Sequence, residues 1–148
     1  MTNTKIAEIP VGETHRAHRA MLELRPDAGA VDAFAAMVDD ELRPQGYRLI
    51  GVFDDNLAED AVAVAGFRIA RNLAWGRYLY VDDLVATPES RGRGHGRALM
   101  EWLRAEARLA GCCQLHLESG TQRHDAHRFY LASGMVISSF HFSQKLDD

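Results

Sequence analysis

The chain has 148 residues, 47% of them hydrophobic and 26% charged, with a formal net charge of −4. That length and balance describe one globular domain over residues 1–148, with enough chain for a proper core, and the acidic surplus argues against general nucleic-acid affinity. No apolar run approaches membrane-spanning length, no signal-peptide apolar region opens the chain, and the only cysteines, Cys112 and Cys113, are sequence neighbours that cannot staple distant segments; this is the pattern of a cytoplasmic protein in a reducing compartment.

Lys5 to Ile9 reads as a short strand. Ala17, Ala20, Met21 and Leu24 fall near helical spacing within a first helix, Glu13 to Leu24, which Arg25-Pro26-Asp27 breaks. Val31, Phe34, Ala35, Val38 and Leu42 make the apolar stripe of a second helix, ended by Pro44 and Gly46. Three strands follow: Tyr47 to Phe53, Ala61 to Ile69 and Tyr78 to Ala86, with turns at Asp54-Asp55-Asn56 and Asn72 to Gly76. Gly66, inside the second of these, marks a bulge or a close approach. Trp75 and Tyr78 are expected to pack at the core or its rim. An amphipathic helix is expected over Arg97 to Ala110, closed by Gly111, and then a strand from Cys113 to Glu118 with the two thiols buried at its start. A last helix, His124 to Ala132, precedes Gly134 and an alternating strand, Val136 to Phe142; the tail Gln144 to Asp148 is polar.

Between strand and helix lies Val85-Ala-Thr-Pro-Glu-Ser-Arg-Gly-Arg-Gly-His-Gly96. Pro88 has no N–H for a ladder and ends the strand. Gly92, Gly94 and Gly96 let the backbone turn with its N–H groups uncovered, at a helix N-terminus whose first donors lack partners and whose dipole is positive. Arg91, Arg93, His95 and Arg97 add positive charge there, so a phosphate or pyrophosphate is the expected guest. A P-loop requires Gly-Lys-Ser/Thr, and Arg97-Ala98 follows Gly96 instead; a dinucleotide fingerprint requires G-x-G-x-x-G, and the spacing here is G-x-G-x-G.

The run Leu84-Val85-Ala86-x-Pro88-x-x-Arg91-Gly92-x-Gly94-x-Gly96, together with Ala126-x-x-Phe129-Tyr130-x-x-x-Gly134-Met135, resembles the GCN5-related N-acetyltransferase (GNAT) superfamily, and the element order is similar over nearly the whole chain. The resemblance implies an α/β (α+β) fold: a mixed, mostly antiparallel sheet of six to seven strands with four helices packed on both faces. It implies acetyl-CoA as co-substrate and no metal. The main chains of Leu84, Val85 and Ala86, splayed at a bulge, would pair with the pantetheine arm and polarise the thioester carbonyl. Arg91, Gly92, Arg93, Gly94, His95, Gly96 and Arg97 would hold the pyrophosphate.

Tyr130 corresponds to the family tyrosine that protonates the departing thiolate; its plainer reading is packing and cofactor binding without proton transfer. Tyr80-Val81-Asp82-Asp83-Leu84 is similar to the acidic pair of diamine N-acetyltransferases, with Asp82 as base and the two carboxylates expected on opposite faces of the strand. Their plainer reading is a turn cap or an ion pair with arginine. Glu118 is the second candidate base, and His124 and His127 the third. The family often carries Asn seven residues before the motif tyrosine; this chain has Arg123, and the segment from Ser119 to Tyr130 is similar to a subgroup that includes aminoalkylphosphonate acetyltransferases. The Asn contact to the pantetheine is then either lost or made by Arg123 or His127; alternatively Arg123 meets an anionic group of the acceptor, and both residues are candidate acceptor ligands. A cationic and an anionic acceptor both remain open. The expected activity is acetyl transfer to the primary amine of a small molecule by direct attack in a ternary complex, with neither a nucleic-acid nor a membrane partner; the alternative is a non-catalytic acyl-CoA sensor. A homodimer is the default for a soluble protein that assembles.

Overall fold

The computed structural model describes residues 3–55 and 59–147. Asn56 and Asp148, the ends of the expected turn and tail, lie outside them. Two compact units result, 1–117 and 118–148. The larger holds β1 (Thr4–Glu8), α1 (His18–Leu24), α2 (Val31–Met37), β2 (Arg48–Asp54), β3 (Ala63–Asn72), β4 (Gly76–Ala86), α3 (His95–Leu109) and β5 (Gln114–Leu117). The strands form one sheet in chain order, β1-β2-β3-β4-β5. The first three pairings are antiparallel; β4 and β5 are parallel, because α3 carries the chain back across the sheet.

Alternation along the strands divides the core between the two faces. Leu49, Phe53 and Val64 pack with Ala17, Ala20, Met21, Phe34 and Val38 of the α1–α2 side. Arg48 and Phe67, paired across β2 and β3, face α3 instead: Arg48 bonds Glu106 at 3.0 Å and Phe67 meets Trp102 edge-on at 5.9 Å. α3 buries Leu99, Met100, Leu103 and Ala107, the stripe its 3.6-residue period dictates. At the β3–β4 turn Asn72 Oδ1 accepts the Trp75 N–H at 2.7 Å, and Trp75 stacks on His116 at 3.5 Å, which makes it rim packing.

Three expectations change. α3 begins at His95 rather than Arg97, because Gly94 takes the left-handed conformation (φ 81°, ψ 12°) and closes the loop earlier. Cys112 and Cys113 precede β5 and are not buried: the first is half-exposed and the second exposed, since the α3–β5 turn runs on the surface. The described residues form five strands, not six or seven. In the smaller unit α4 (His124–Ala132) is followed by chain that pairs with no strand among the described residues, and Val136, Ile137, Phe140 and Phe142 are exposed. Alternation states which faces a strand would present; it supplies no partner edge, and strand formation depends on that context. No helix among the described residues is long and apolar enough to cross a membrane.

Candidate active site

The site is built where β3 and β4 fall out of step. Gly66 pairs with Asp83 and Phe67 with Val81, so Asp82 is an additional residue on β4, a bulge. The extra residue breaks the alternation. Asp82 and Asp83 were expected on opposite faces; both line one cavity of about 270 Å³, with Leu42, Gln45, Tyr47 and Arg68.

Both carboxylates are engaged. Arg68 grips Asp82 with two 2.7 Å bonds, Nε to Oδ2 and Nη2 to Oδ1. Arg25 Nε donates to Asp83 Oδ1 at 2.9 Å, and its Nη2 to the Asp82 carbonyl at 3.0 Å. Tyr47 donates its hydroxyl to Asp83 Oδ2 at 2.8 Å. Burial and the neighbouring Asp83 push the Tyr47 phenol well above its usual range, so it stays a donor.

Tyr47 is placed by an irregular segment. After α2 the helix widens into a π turn, Val38–Leu42, and tightens again over Arg43–Gln45. The Tyr47 N–H then bonds the Leu42 carbonyl at 3.1 Å. Asp39 fastens the turn, accepting from Thr14 at 2.6 Å and from Arg43 at 2.8 Å. Desolvation alone would raise the Asp39 carboxyl, but these bonds hold it below the ordinary range.

Four residues beyond Asp82, β4 reaches the expected anion loop. β4 pairs with β3 as far as Ala86, whereas its register with β5 ends at Val81–Leu117. The strand edge of Leu84, Val85 and Ala86 that faces away from β3 is therefore beyond the β5 ladder. Thr87 bonds Ser90 Oγ at 2.9 Å and Pro88–Ser90 makes one tight turn. Gly92 (φ 78°) and Gly94 (φ 81°) then reverse the backbone. The Ala98 N–H bonds the Gly94 carbonyl at 3.0 Å, so the N–H groups of His95, Gly96 and Arg97 precede the helical ladder. Arg91, Arg93 and Arg97 are exposed around them, with Arg91 3.9 Å from Glu23. His95 is buried; burial and the charge of Arg93 hold its imidazole below the usual value, so the loop's positive charge comes from the arginines.

The smaller unit carries the remaining candidates. Tyr130 is buried on α4, and burial raises its phenol although Arg123 opposes the shift. Arg123 immediately precedes α4, and its carbonyl accepts the His127 N–H at 3.1 Å, while a His127 ring nitrogen meets the Gly120 carbonyl at 2.7 Å. Both residues thus belong to the turn that starts the helix. Glu118 lies 2.9 Å from His141. His124 is exposed on the first turn of α4.

Sequence reasoning overlooked Arg25, Tyr47 and Arg68 as site residues. The one available signal was Gly66: a Cβ there would collide with the Tyr47 ring and hydroxyl. A glycine inside an apolar strand announced that something crosses it, but not what.

The chain matches the family model described as the acetyltransferase (GNAT) family over residues 14–135. It is 32% identical over 123 residues to the uncharacterized N-acetyltransferase YhdJ of Bacillus subtilis, covering 82% of this chain and 84% of that one. It is 41% identical over 66 residues to the aminoalkylphosphonate N-acetyltransferase of Salmonella typhimurium, covering 45% of this chain and 43% of that one. Among solved structures, an aminoglycoside N-acetyltransferase AAC(6')-Iy in complex with CoA superposes with a TM-score of 0.83 at 14% identity, over 99% of this chain and 97% of that one. With the family model spanning most of the chain and a relative this similar over most of both lengths, the chain belongs to the GNAT family of acetyltransferases.

Proposed function

We propose that residues 1–148 act as one cytoplasmic N-acetyltransferase domain that moves the acetyl group of acetyl-CoA to a primary amine of a small molecule, by direct attack in a ternary complex. The observation that carries this reading is on β4: one strand holds the two-carboxylate cavity at Asp82 and Asp83 and runs on into the arginine loop at the start of α3. The loop's backbone N–H groups and Arg91, Arg93 and Arg97 suit a pyrophosphate. The free edge of Leu84, Val85 and Ala86 suits the pantetheine amides and the thioester carbonyl.

In this mechanism the acceptor ammonium rests on the Asp82–Asp83 pair and yields a proton there, directly or through water. Glu118, which lies beside His141, is the second candidate for that proton. The neutral nitrogen attacks the acetyl carbon, the C–N bond forms, the C–S bond breaks, and the nitrogen gives its second proton to solvent as the amide forms. Tyr130, which burial keeps protonated, gives its proton to the departing thiolate and is reprotonated from solvent. Arg123 and His127, on the smaller unit, are the candidate acceptor ligands. A second reading, an acyl-CoA sensor without turnover, is favoured by one observation: both carboxylates already hold an arginine.

Calorimetric titration with acetyl-CoA, beside Arg91→Glu/Arg93→Glu, tests the donor site; binding by the wild type and its loss in the variant is the expected result. A thiol-release screen of small amines tests turnover. Cofactor binding with no thiol released by any amine would convert the enzyme reading into the sensor reading.

A further inference from the structure

The cavity's charges narrow the acceptor, given the acetyltransferase reading on which this inference rests. Two carboxylates on one wall make a doubly negative well, suited to a dication. Here the well is already filled from within. Arg68 uses both arms of its guanidinium on Asp82, and Arg25 holds Asp83. Two formal negative charges meet two positive ones, so both carboxylates are already neutralised, although Arg25 itself does not line the cavity. A protonated diamine placed in it would leave two positive charges without partners in a confined space, and such charges are costly. A molecule carrying one ammonium and one anionic group adds nothing to the sum.

We propose that the acceptor is a compact zwitterion, a primary amine bearing a phosphonate, sulfonate or carboxylate, and that Arg68 is its anion clamp. Binding is an exchange of ion pairs: the ammonium takes Asp82, and the anionic group takes the guanidinium that Asp82 releases. The geometry allows it. The Arg68 side chain is 41% exposed and that of Asp82 26%, and both line the cavity, so the pair is open to solvent. The Arg68 guanidinium lies 5.5 Å from the Tyr80 ring centre, which supports it while it changes partners. Its planar fork fits a two-oxygen anion as well as it fits Asp82. A cavity of about 270 Å³ limits the acceptor to a small molecule. The same exchange drives product release. Once the nitrogen is an amide it has no charge for Asp82, and Asp82 competes with the product's anion for Arg68.

The test is thiol-release kinetics on a matched set: 3-aminopropylphosphonate, 3-aminopropanesulfonate, propylamine and 1,3-diaminopropane. The expected result is a kcat/KM at least tenfold higher for an anionic member than for propylamine, with the diamine no better than propylamine. Arg68→Gln should bring the ratio of anionic to plain amine close to one while acetyl-CoA binding, measured calorimetrically, persists. Propylphosphonate, which has no amine, should compete with the acceptor and not with acetyl-CoA; this readout needs only the wild type. Equal or better turnover of propylamine or the diamine overturns the zwitterion and leaves the acetyltransferase standing. Thiol release from none of a broad set of amines overturns both.

Discussion

The Tyr47 ring lies across the backbone of Gly66 and its hydroxyl bonds Asp83 on the neighbouring strand at 2.8 Å. Gly66 is thus small because a side chain from the residue just before β2 has to pass over β3 to reach β4. Gly66→Ala should place a methyl group where the phenol now sits. The strand backbone is not free to yield, so Tyr47 must leave Asp83. We expect a loss of about 1–3 kcal/mol in urea unfolding, the usual cost of overpacking, together with a higher acceptor KM. Gly66→Ala in a Tyr47→Ala background should cost much less, since the obstructing ring is gone. Equal costs in both backgrounds would falsify the crossing as the reason for the glycine.

The extent to which this was legible in the chain differs from element to element. The strand–loop–helix unit around Gly92 and Gly94 could be read because its features are local: a proline stop, glycines in sequence and an amphipathic period. The start of α3 was misplaced by two residues because a helix can begin directly after a left-handed glycine. The cavity was less visible. Asp82 and Asp83 were found, but alternation places adjacent side chains on opposite faces, and only the bulge against Gly66 and Phe67 brings them together. Arg25, Tyr47 and Arg68 come from three other stretches of the chain, and no spacing rule links residues 58, 36 and 14 positions from their partners. Val136 to Phe142 shows the opposite failure, a sequence with a strand's pattern and no strand pairing among the described residues.

Tyr47 and Tyr130 make stability depend on alkaline pH. Burial raises both phenols in the folded protein above the value of about 10 expected when unfolded. Above that value the unfolded chain binds fewer protons than the folded one, so stability falls as pH rises. The stabilisation is complete below about pH 10 and is lost as pH climbs through the folded values. Lysines contribute little to this range, since the chain has only Lys5 and Lys145. Urea midpoints measured from pH 8 to 11 should be level at first and then decline. Tyr47→Phe should be less stable at pH 8, by about 1–2 kcal/mol for the lost hydrogen bond, and should decline less steeply. A decline of the same slope in the variant would show that Tyr47 is not among the titrating groups.

Gly94 is required for its backbone conformation alone. Its φ of 81° is a region that side-chain-bearing residues seldom adopt, yet a Cβ added there would meet nothing within 4 Å. Gly94→Ala should therefore cost about 1–2 kcal/mol of backbone strain with no packing penalty. Gly94→Asn should recover part of it, because asparagine tolerates the left-handed region. If the N–H groups of His95, Gly96 and Arg97 hold the pyrophosphate, the alanine variant should also bind acetyl-CoA several-fold more weakly. Calorimetry and urea unfolding on the same samples separate the two effects. Weakened binding without any loss of stability would place the effect in the ligand contacts rather than in the helix start.

Tyr130→Phe removes a hydroxyl and leaves the ring. If that hydroxyl protonates the thiolate, kcat should drop by about 10²–10⁴-fold, while acetyl-CoA affinity stays within about twofold, since the ring still fills its buried position. The pH profile adds a readout that packing alone would not move. A proton donor must remain protonated, so the wild-type kcat should fall on the alkaline side as pH passes the raised value of the phenol. The variant should lack that limb, its small residual rate being carried by water. Rescue offers a second check: an acyl donor with a more acidic thiol needs less protonation to depart, and it should narrow the gap between wild type and variant. An unchanged kcat with the natural donor would instead assign Tyr130 to packing and leave thiol protonation to solvent.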